Sequence, residues 1–168
     1  MTTKPKLLNP LPIEFDEETH RYIWTPTNET MANSVTSITG FDMPESKRKS
    51  IEQFKHIWAP RGTAVHKALE CFLLETDIPD DKKYDDWIIP LLSHQYFQMF
   101  FKPLAVEYRV VDLKNSIGGT LDAYGIDTRT NKKVLMDLKT QSIQMQTHIT
   151  LTNSLVLIIQ CSVQMAYR

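Results

Sequence analysis

At residue 104 the apolar period of the chain changes from 3.6 to 2, and no other feature limits its possible folds as much. Residues 104–113, 117–127 and 133–139 alternate as strands do. The linkers Lys114-Asn-Ser116 and Thr128-Arg-Thr-Asn131 are of hairpin length. Three strands so joined make an antiparallel meander, which needs helices to cover its apolar side. Residues 45–58 carry Ile51, Phe54, Ile57 and Trp58 at the spacing of an amphipathic helix, and Pro60 punctuates it. Residues 61–75 set Val65, Ala68, Leu69, Phe72 and Leu73 on one helical stripe and Gly62, His66 and Glu70 on the next. After a charged loop at 76–83, residues 84–101 read as an aromatic-rich helix kinked at Pro90. At the front, residues 20–24 and 33–39 read as strands of a hairpin around a turn at 26–30, and residues 151–168 return to a helical pattern. The order predicts an α/β (α+β) fold, a mixed sheet covered by helices.

A length of 168 residues suits one domain, 1–168, with 1–40 as a hairpin extension and 45–168 as the core. A content of 42% hydrophobic and 23% charged residues excludes wholesale disorder. The longest apolar run, 155–159, is far short of the roughly 20 residues that cross a bilayer, and no apolar stretch follows Met1-Thr-Thr-Lys-Pro-Lys6. A cytoplasmic protein without membrane association is expected, with Cys71 and Cys161 as buried thiols in a reducing compartment. Nineteen basic against 20 acidic residues leave a net charge of −1, so no globally basic surface argues for nucleic-acid binding. A local one remains open: Lys47, Arg48, Lys49, Lys55, Arg61 and Lys67 lie on the two helical segments that lead to His66. The alternative for that run is a solvated helix face.

Asp122 lies in the second meander strand and Asp137 in the third, where Asp137 and Lys139 share the face opposite Val134, Met136 and Leu138. If these strands are neighbours, Asp122 stands across from Asp137, and two close carboxylates repel unless a cation lies between them. Oxygen donors suit Mg²⁺ or Mn²⁺, which polarise a phosphoryl oxygen and acidify water. The acid-x-lysine spacing alone is weak, since it recurs at Glu45, Asp80, Asp81 and Asp112. Only Asp137 has both a central apolar strand and a partner carboxylate one strand away. The alternative for Asp122, Asp137 and Lys139 is a strand salt bridge facing solvent.

Taken in order, Arg61-Gly-Thr-Ala-Val-His66-Lys-Ala-Leu-Glu70, Gly119-Thr-Leu-Asp122, Met136-Asp-Leu-Lys-Thr140 and a Gln-rich stretch near Gln160 and Tyr167 resemble the motifs of a known family. It is the PD-(D/E)XK nuclease superfamily, in its RecB-like branch of phage-type exonucleases and the mitochondrial genome maintenance exonuclease. Phe15-Asp-Glu-Glu-Thr-His20-Arg-Tyr22 and Ser34-Val-Thr-Ser-Ile38 resemble the opening of phage members. The resemblance implies a restriction-endonuclease-like core and a Mg²⁺ or Mn²⁺ ion held by His66, Asp122, Asp137 and the backbone carbonyl of Leu138. It further implies Lys139 as the catalytic lysine, and DNA contacts from Gln160, Gln164 and Tyr167 on a C-terminal helix. Glu70 would orient His66 or a water; its alternative is a solvated carboxylate. Glu107 is either an extra acidic group near the metal or half of a cross-strand ion pair. The chain stops at Arg168, where members of this family continue, so a shortened core is expected.

The expected function is a metal-dependent DNA nuclease, an exonuclease of recombination, repair or phage DNA processing. It would act on single strands or duplex ends held by Lys47, Arg48, Lys49 and Arg61, and would hydrolyse phosphodiester bonds with a metal-activated water. The alternative is a nuclease-fold module that binds or assembles without cleaving. A small-molecule metallohydrolase ranks third, because the chain lacks the His-rich clusters of such sites.

Overall fold

The computed structural model describes residues 6–40, 42–140, 149–151 and 156–161. Its strands are β1 (Ile13–Asp16), β2 (Arg21–Trp24), β3 (Glu29–Thr30), β4 (Asn33–Ser34), β5 (Phe101–Asp112), β6 (Ile117–Asp127), β7 (Lys132–Thr140), β8 (Ile149–Leu151) and β9 (Val156–Cys161). Its helices are α1 (Val35–Thr39), α2 (Glu45–Gln53), α3 (Lys55–Leu73) and α4 (Asp85–Leu92). β5, β6 and β7 form the antiparallel meander that the alternation predicts. The turns between them close through Ser116 and Asn131 in the left-handed region, at φ 53 and 54. β4 joins β6 in parallel, and β9 joins β7 in parallel with β8 outside it, so the large sheet is mixed.

Val134, Met136 and Leu138 of β7 turn into the main core against Val65, Ala68, Leu69 and Leu73 of α3 and Trp87, Ile88 and Leu91 of α4. Met136 and Leu138 are 0% and 1% exposed, each burial contributing roughly 1.5–3 kcal/mol. The alternation leaves Asp137 and Lys139 on the other face, as predicted.

Four expectations are corrected. The tail is not helical where it is described, because residues 156–161 form β9. The run Leu155-Val-Leu-Ile-Ile159 is apolar at every position, the pattern of a parallel strand with neighbours on both sides, and a short run of this kind has no helical stripe to tell it from one. Residues 33–39 are not the second strand of the N-terminal hairpin. β2 pairs instead with β1 and β3, while Val35–Thr39 is helical despite its β-branched residues. A reciprocal capping box between Ser34 and Ser37 starts that helix, each hydroxyl accepting the other's backbone N–H at 3.0 Å.

The helix break falls at Phe54 rather than Pro60, which lies inside α3. The Trp58 indole N–H donates to the Ile51 carbonyl at 2.8 Å, satisfying a last-turn acceptor that the break leaves free. Residues 84–101 are not one helix kinked at Pro90. α4 runs through Pro90 to Leu92, a π-helical turn follows at Tyr96–Phe100, and β5 begins at Phe101. Edge-on and tilted ring contacts among Tyr96, Phe97 and Phe101 in the core outweigh the helical spacing there.

The N-terminal sheet has its own small core of Ile13, Tyr22 and Met31 and sits on β6. Tyr22 covers Gly118, where an added Cβ would stand 2.5 Å from the ring, and its hydroxyl meets Thr120 Oγ1 at 3.0 Å. Gly118 is therefore the residue that lets the hairpin dock.

Candidate functional site

The β6–β7 ladder ends at the pair Ala123 and Met136. The next register position would pair Asp122 with Asp137, but the two strands part there, while β9 stays paired along the other edge of β7 through Thr140. The Asp122 carboxylate turns into the gap, where Oδ2 accepts the Leu138 amide in a short hydrogen bond. On the other side of β6, pairs Val106 with Ala123 and Tyr108 with Leu121 leave Glu107 opposite Asp122. Glu107 has φ 45, a left-handed conformation that is uncommon for such a side chain and strains the strand locally.

α3 lowers His66 onto this point. Nδ1 lies 3.3 Å from Asp122 Oδ1 and 3.9 Å from Glu107 Oε1. One nitrogen and two carboxylate oxygens thus lie within 4.8 Å of one another. Burial alone would disfavour the imidazolium, but hydrogen bonds to Asp122 and Glu107, and their charges, outweigh it and raise the His66 pKa to about 9. At neutral pH a proton on His66 offsets one of the two facing carboxylate charges. A donor set of one imidazole and two carboxylates could also hold a divalent cation.

The other residues singled out in the sequence divide around this cluster. Asp137 lies outside the group of three donors, and its Oδ1 pairs with Lys139 Nζ at 2.9 Å on the half-exposed face. The Leu138 amide donates to Asp122, which places the residue whose carbonyl the resemblance implies as a metal ligand beside the cluster. Glu70 pairs with Lys67 at 2.8 Å, one turn beyond His66, and that hydrogen bond raises the Lys67 pKa.

Arg61 is committed to packing. Its guanidinium lies 4.3 Å over the Trp87 ring, Nη2 donates to the Thr140 carbonyl at 3.4 Å, and Nε is buried without a partner among the described residues. Burial lowers its pKa. Lys47, Arg48 and Lys49 lie on α2, which buries none of its residues. Lys49 meets Glu45 at 2.8 Å, Arg48 reaches the Gly40 carbonyl at 3.4 Å, and Lys47 has no partner among the described residues. Gln160 is on β9 at the register position beside Lys139, not on a helix. Gln164 and Tyr167 lie outside the described residues.

Glu107 is the cluster member that sequence reasoning did not select, although the signal was present. Two four-residue connections, 113–116 and 128–131, fix both hairpin registers and set Glu107, Asp122 and Asp137 in one row across three strands. No helix among the described residues is long and apolar enough to cross a membrane. The chain matches no protein-family model and no curated protein sequence.

Proposed function

We propose that the protein is a metal-dependent DNA nuclease with a restriction-endonuclease-like core. The observation that carries this reading is the meeting of His66, Glu107 and Asp122 where β6 and β7 part, beside the Asp137–Lys139 pair. The meander, followed by a parallel strand on β7 and covered by α3, supports the core that the resemblance implies. His66, Asp122 and Glu107 would hold Mg²⁺ or Mn²⁺, with Asp137 available from the adjacent register position. The ion, when bound, supplies Lewis acidity that polarises a phosphoryl oxygen and lowers the pKa of water. Asp122 also fixes the Leu138 amide and so the positions of the residues that flank it. Lys139, more than half exposed at 53%, orients the attacking water or offsets charge at phosphorus.

DNA incubated with the protein and Mn²⁺ or Mg²⁺ is degraded, and EDTA stops the loss. Lys139→Ala lowers the rate by about 100-fold or more. A Lys139→Ala or Asp137→Ala protein that cleaves like wild type overturns the assignment.

The second reading is a nuclease-fold module that binds DNA without turnover. It is favoured by the closed Asp137–Lys139 ion pair, which leaves Asp137 outside the three-donor group. Metal-dependent binding without cleavage would select it.

A further inference from the structure

Two sequence stretches that the proposed metal centre does not use meet in space. The β1–β2 turn and the start of β4 and α1 enclose a cavity of about 260 Å³, lined by Thr19, His20, Arg21, Asn33, Ser34 and Ser37, with Met31 and Ala32 completing it. This is below the roughly 300–1,000 Å³ of sites for drug-sized ligands, and it suits a small polar group. No carboxylate is among its lining residues.

Some of its hydroxyls are already engaged. Thr19 donates to Asp16 at 2.7 Å, and Ser34 and Ser37 cap each other. The Arg21 side chain has no ion pair or hydrogen bond among the described residues, although its Cα partner across the hairpin is Asp16. Asp16 accepts instead from Thr19 and from the Glu18 amide. The Asn33 side chain likewise has no hydrogen-bond partner there, and the His20 ring edges Phe15 at 5.7 Å and is close enough to the Asp16 carboxylate to help lower its pKa. Arg21, Asn33 and His20 thus bring a planar, always-charged guanidinium, an amide donor and an imidazole to the lining of one small cavity, a donor set suited to a tetrahedral anion.

The position relates this cavity to the metal cluster. Ser34 pairs with Gly118, and Asp122 lies four residues further along β6, roughly 13 Å at 3.3 Å per residue. A stacked strand carries a phosphate about every 3.4 Å of axis, so roughly four nucleotides span that distance.

We infer that the cleft between the β1–β2 turn and α1 binds a phosphate group of the nucleic-acid strand through Arg21, His20 and Asn33. The inference rests on the proposed nuclease reading for its ligand, while the site itself is an anion site that can be tested alone. The phosphate is either a 5′-terminal group or an internal phosphodiester.

Inorganic phosphate is titrated into the ¹⁵N-labelled full chain in EDTA, so that neither metal nor cleavage contributes. The expected result is amide shifts centred on residues 19–21 and 33–37, and at least about a fivefold loss of affinity in Arg21→Ala, with a smaller loss in Arg21→Lys and Asn33→Ala. The spectra also report whether each variant is folded. Shifts centred on α2, or equal affinity in wild type and folded Arg21→Ala, overturn the proposal. Repeating the titration with one short oligothymidylate, 5′-phosphorylated or 5′-hydroxyl, separates the sources. An Arg21→Ala effect confined to the phosphorylated oligonucleotide assigns the terminal group, and an equal effect on both assigns an internal phosphodiester. Mn²⁺-dependent cleavage by wild type is assayed separately. Phosphate binding at the cleft without cleavage sinks the nuclease reading and leaves the anion site standing, whereas cleavage without phosphate binding does the reverse.

Discussion

The Asp122 carboxylate accepts the Leu138 amide at the point where β6 and β7 cease to pair. One side chain therefore ends a strand ladder, holds the backbone between Asp137 and Lys139, and presents its other oxygen to His66 at 3.3 Å. Structural and chemical roles are joined in this residue, and substitutions can separate them.

Asp122→Ala removes the acceptor of the partly buried Leu138 N–H as well as a proposed metal donor. It is expected to destabilise the metal-free protein by about 1–3 kcal/mol. Asp122→Asn keeps an acceptor, so it should retain more of that stability while still losing Mn²⁺ affinity. Urea denaturation in EDTA and calorimetric titration with Mn²⁺ read the two effects. Equal stability of the Ala and Asn proteins would show that the Leu138 contact contributes nothing.

The metal-free protein should lose stability as pH rises. His66 has an ordinary pKa of 6.5 and a folded value of about 9, raised by Asp122 and Glu107 against the opposing effect of burial. A raised folded pKa gives stability that is fully present below about 6.5 and is lost as pH climbs through about 9. His66→Gln should abolish this slope in EDTA, with a wild-type change of about 1–2 kcal/mol, discounted for the partial exposure of the ring. Mn²⁺ affinity should move oppositely, rising over the same window as the competing proton leaves. A Mn²⁺ affinity that is flat from pH 6.5 to 9 would remove His66 from the ligand set.

Glu107 combines backbone strain with a proposed metal-donor role. At φ 45 a glycine relieves strain on the order of 1 kcal/mol, part of which is offset by its greater unfolded freedom. Glu107→Gly is expected to unfold at equal or higher temperature than wild type in EDTA, yet to bind Mn²⁺ about tenfold more weakly. Glu107→Gln should lose the affinity without the stability gain. Undiminished Mn²⁺ binding by both proteins would assign the third donor elsewhere.

The meander was legible because its evidence is local: period-two alternation and short loops fix both the strands and their register. Asp122 and the Asp137–Lys139 pair were found through that register, and Glu107 was available from it, because all three acids occupy one row. What the register could not reveal is the fork at Ala123 and Met136, which turns Asp122 toward His66 and leaves Asp137 with Lys139. Such a departure is made in three dimensions, by the Asp122 carboxylate taking the Leu138 amide, and no local pattern encodes it; β9, on the other edge of β7, likewise comes from an apolar run that reads as either helix or strand. The packing of Arg61 was hidden for a similar reason: its partner Trp87 lies on another helix, beyond any helical spacing.

That difference between Arg61 and the cations of α2 yields the last prediction. Lys47, Arg48 and Lys49 sit on a helix with no buried residue, and the Lys49–Glu45 pair is 76% and 79% exposed, so it holds Lys49 only weakly. These three can turn to phosphate at little cost, whereas Arg61 would have to leave Trp87 and the Thr140 carbonyl. Replacing Lys47, Arg48 and Lys49 together by Ala should flatten the plot of log K against log salt for single-stranded DNA by up to about 0.7 per lost contact. Metal affinity and thermal stability should be unchanged. Arg61→Ala should instead lower stability by about 1–3 kcal/mol through lost packing and leave the salt slope near the wild-type value. Fluorescence anisotropy at several salt concentrations, paired with thermal melts, distinguishes the two classes. An unchanged slope in the triple variant would make the α2 run a solvated face and move the DNA path toward Lys132 and Lys133 at the start of β7.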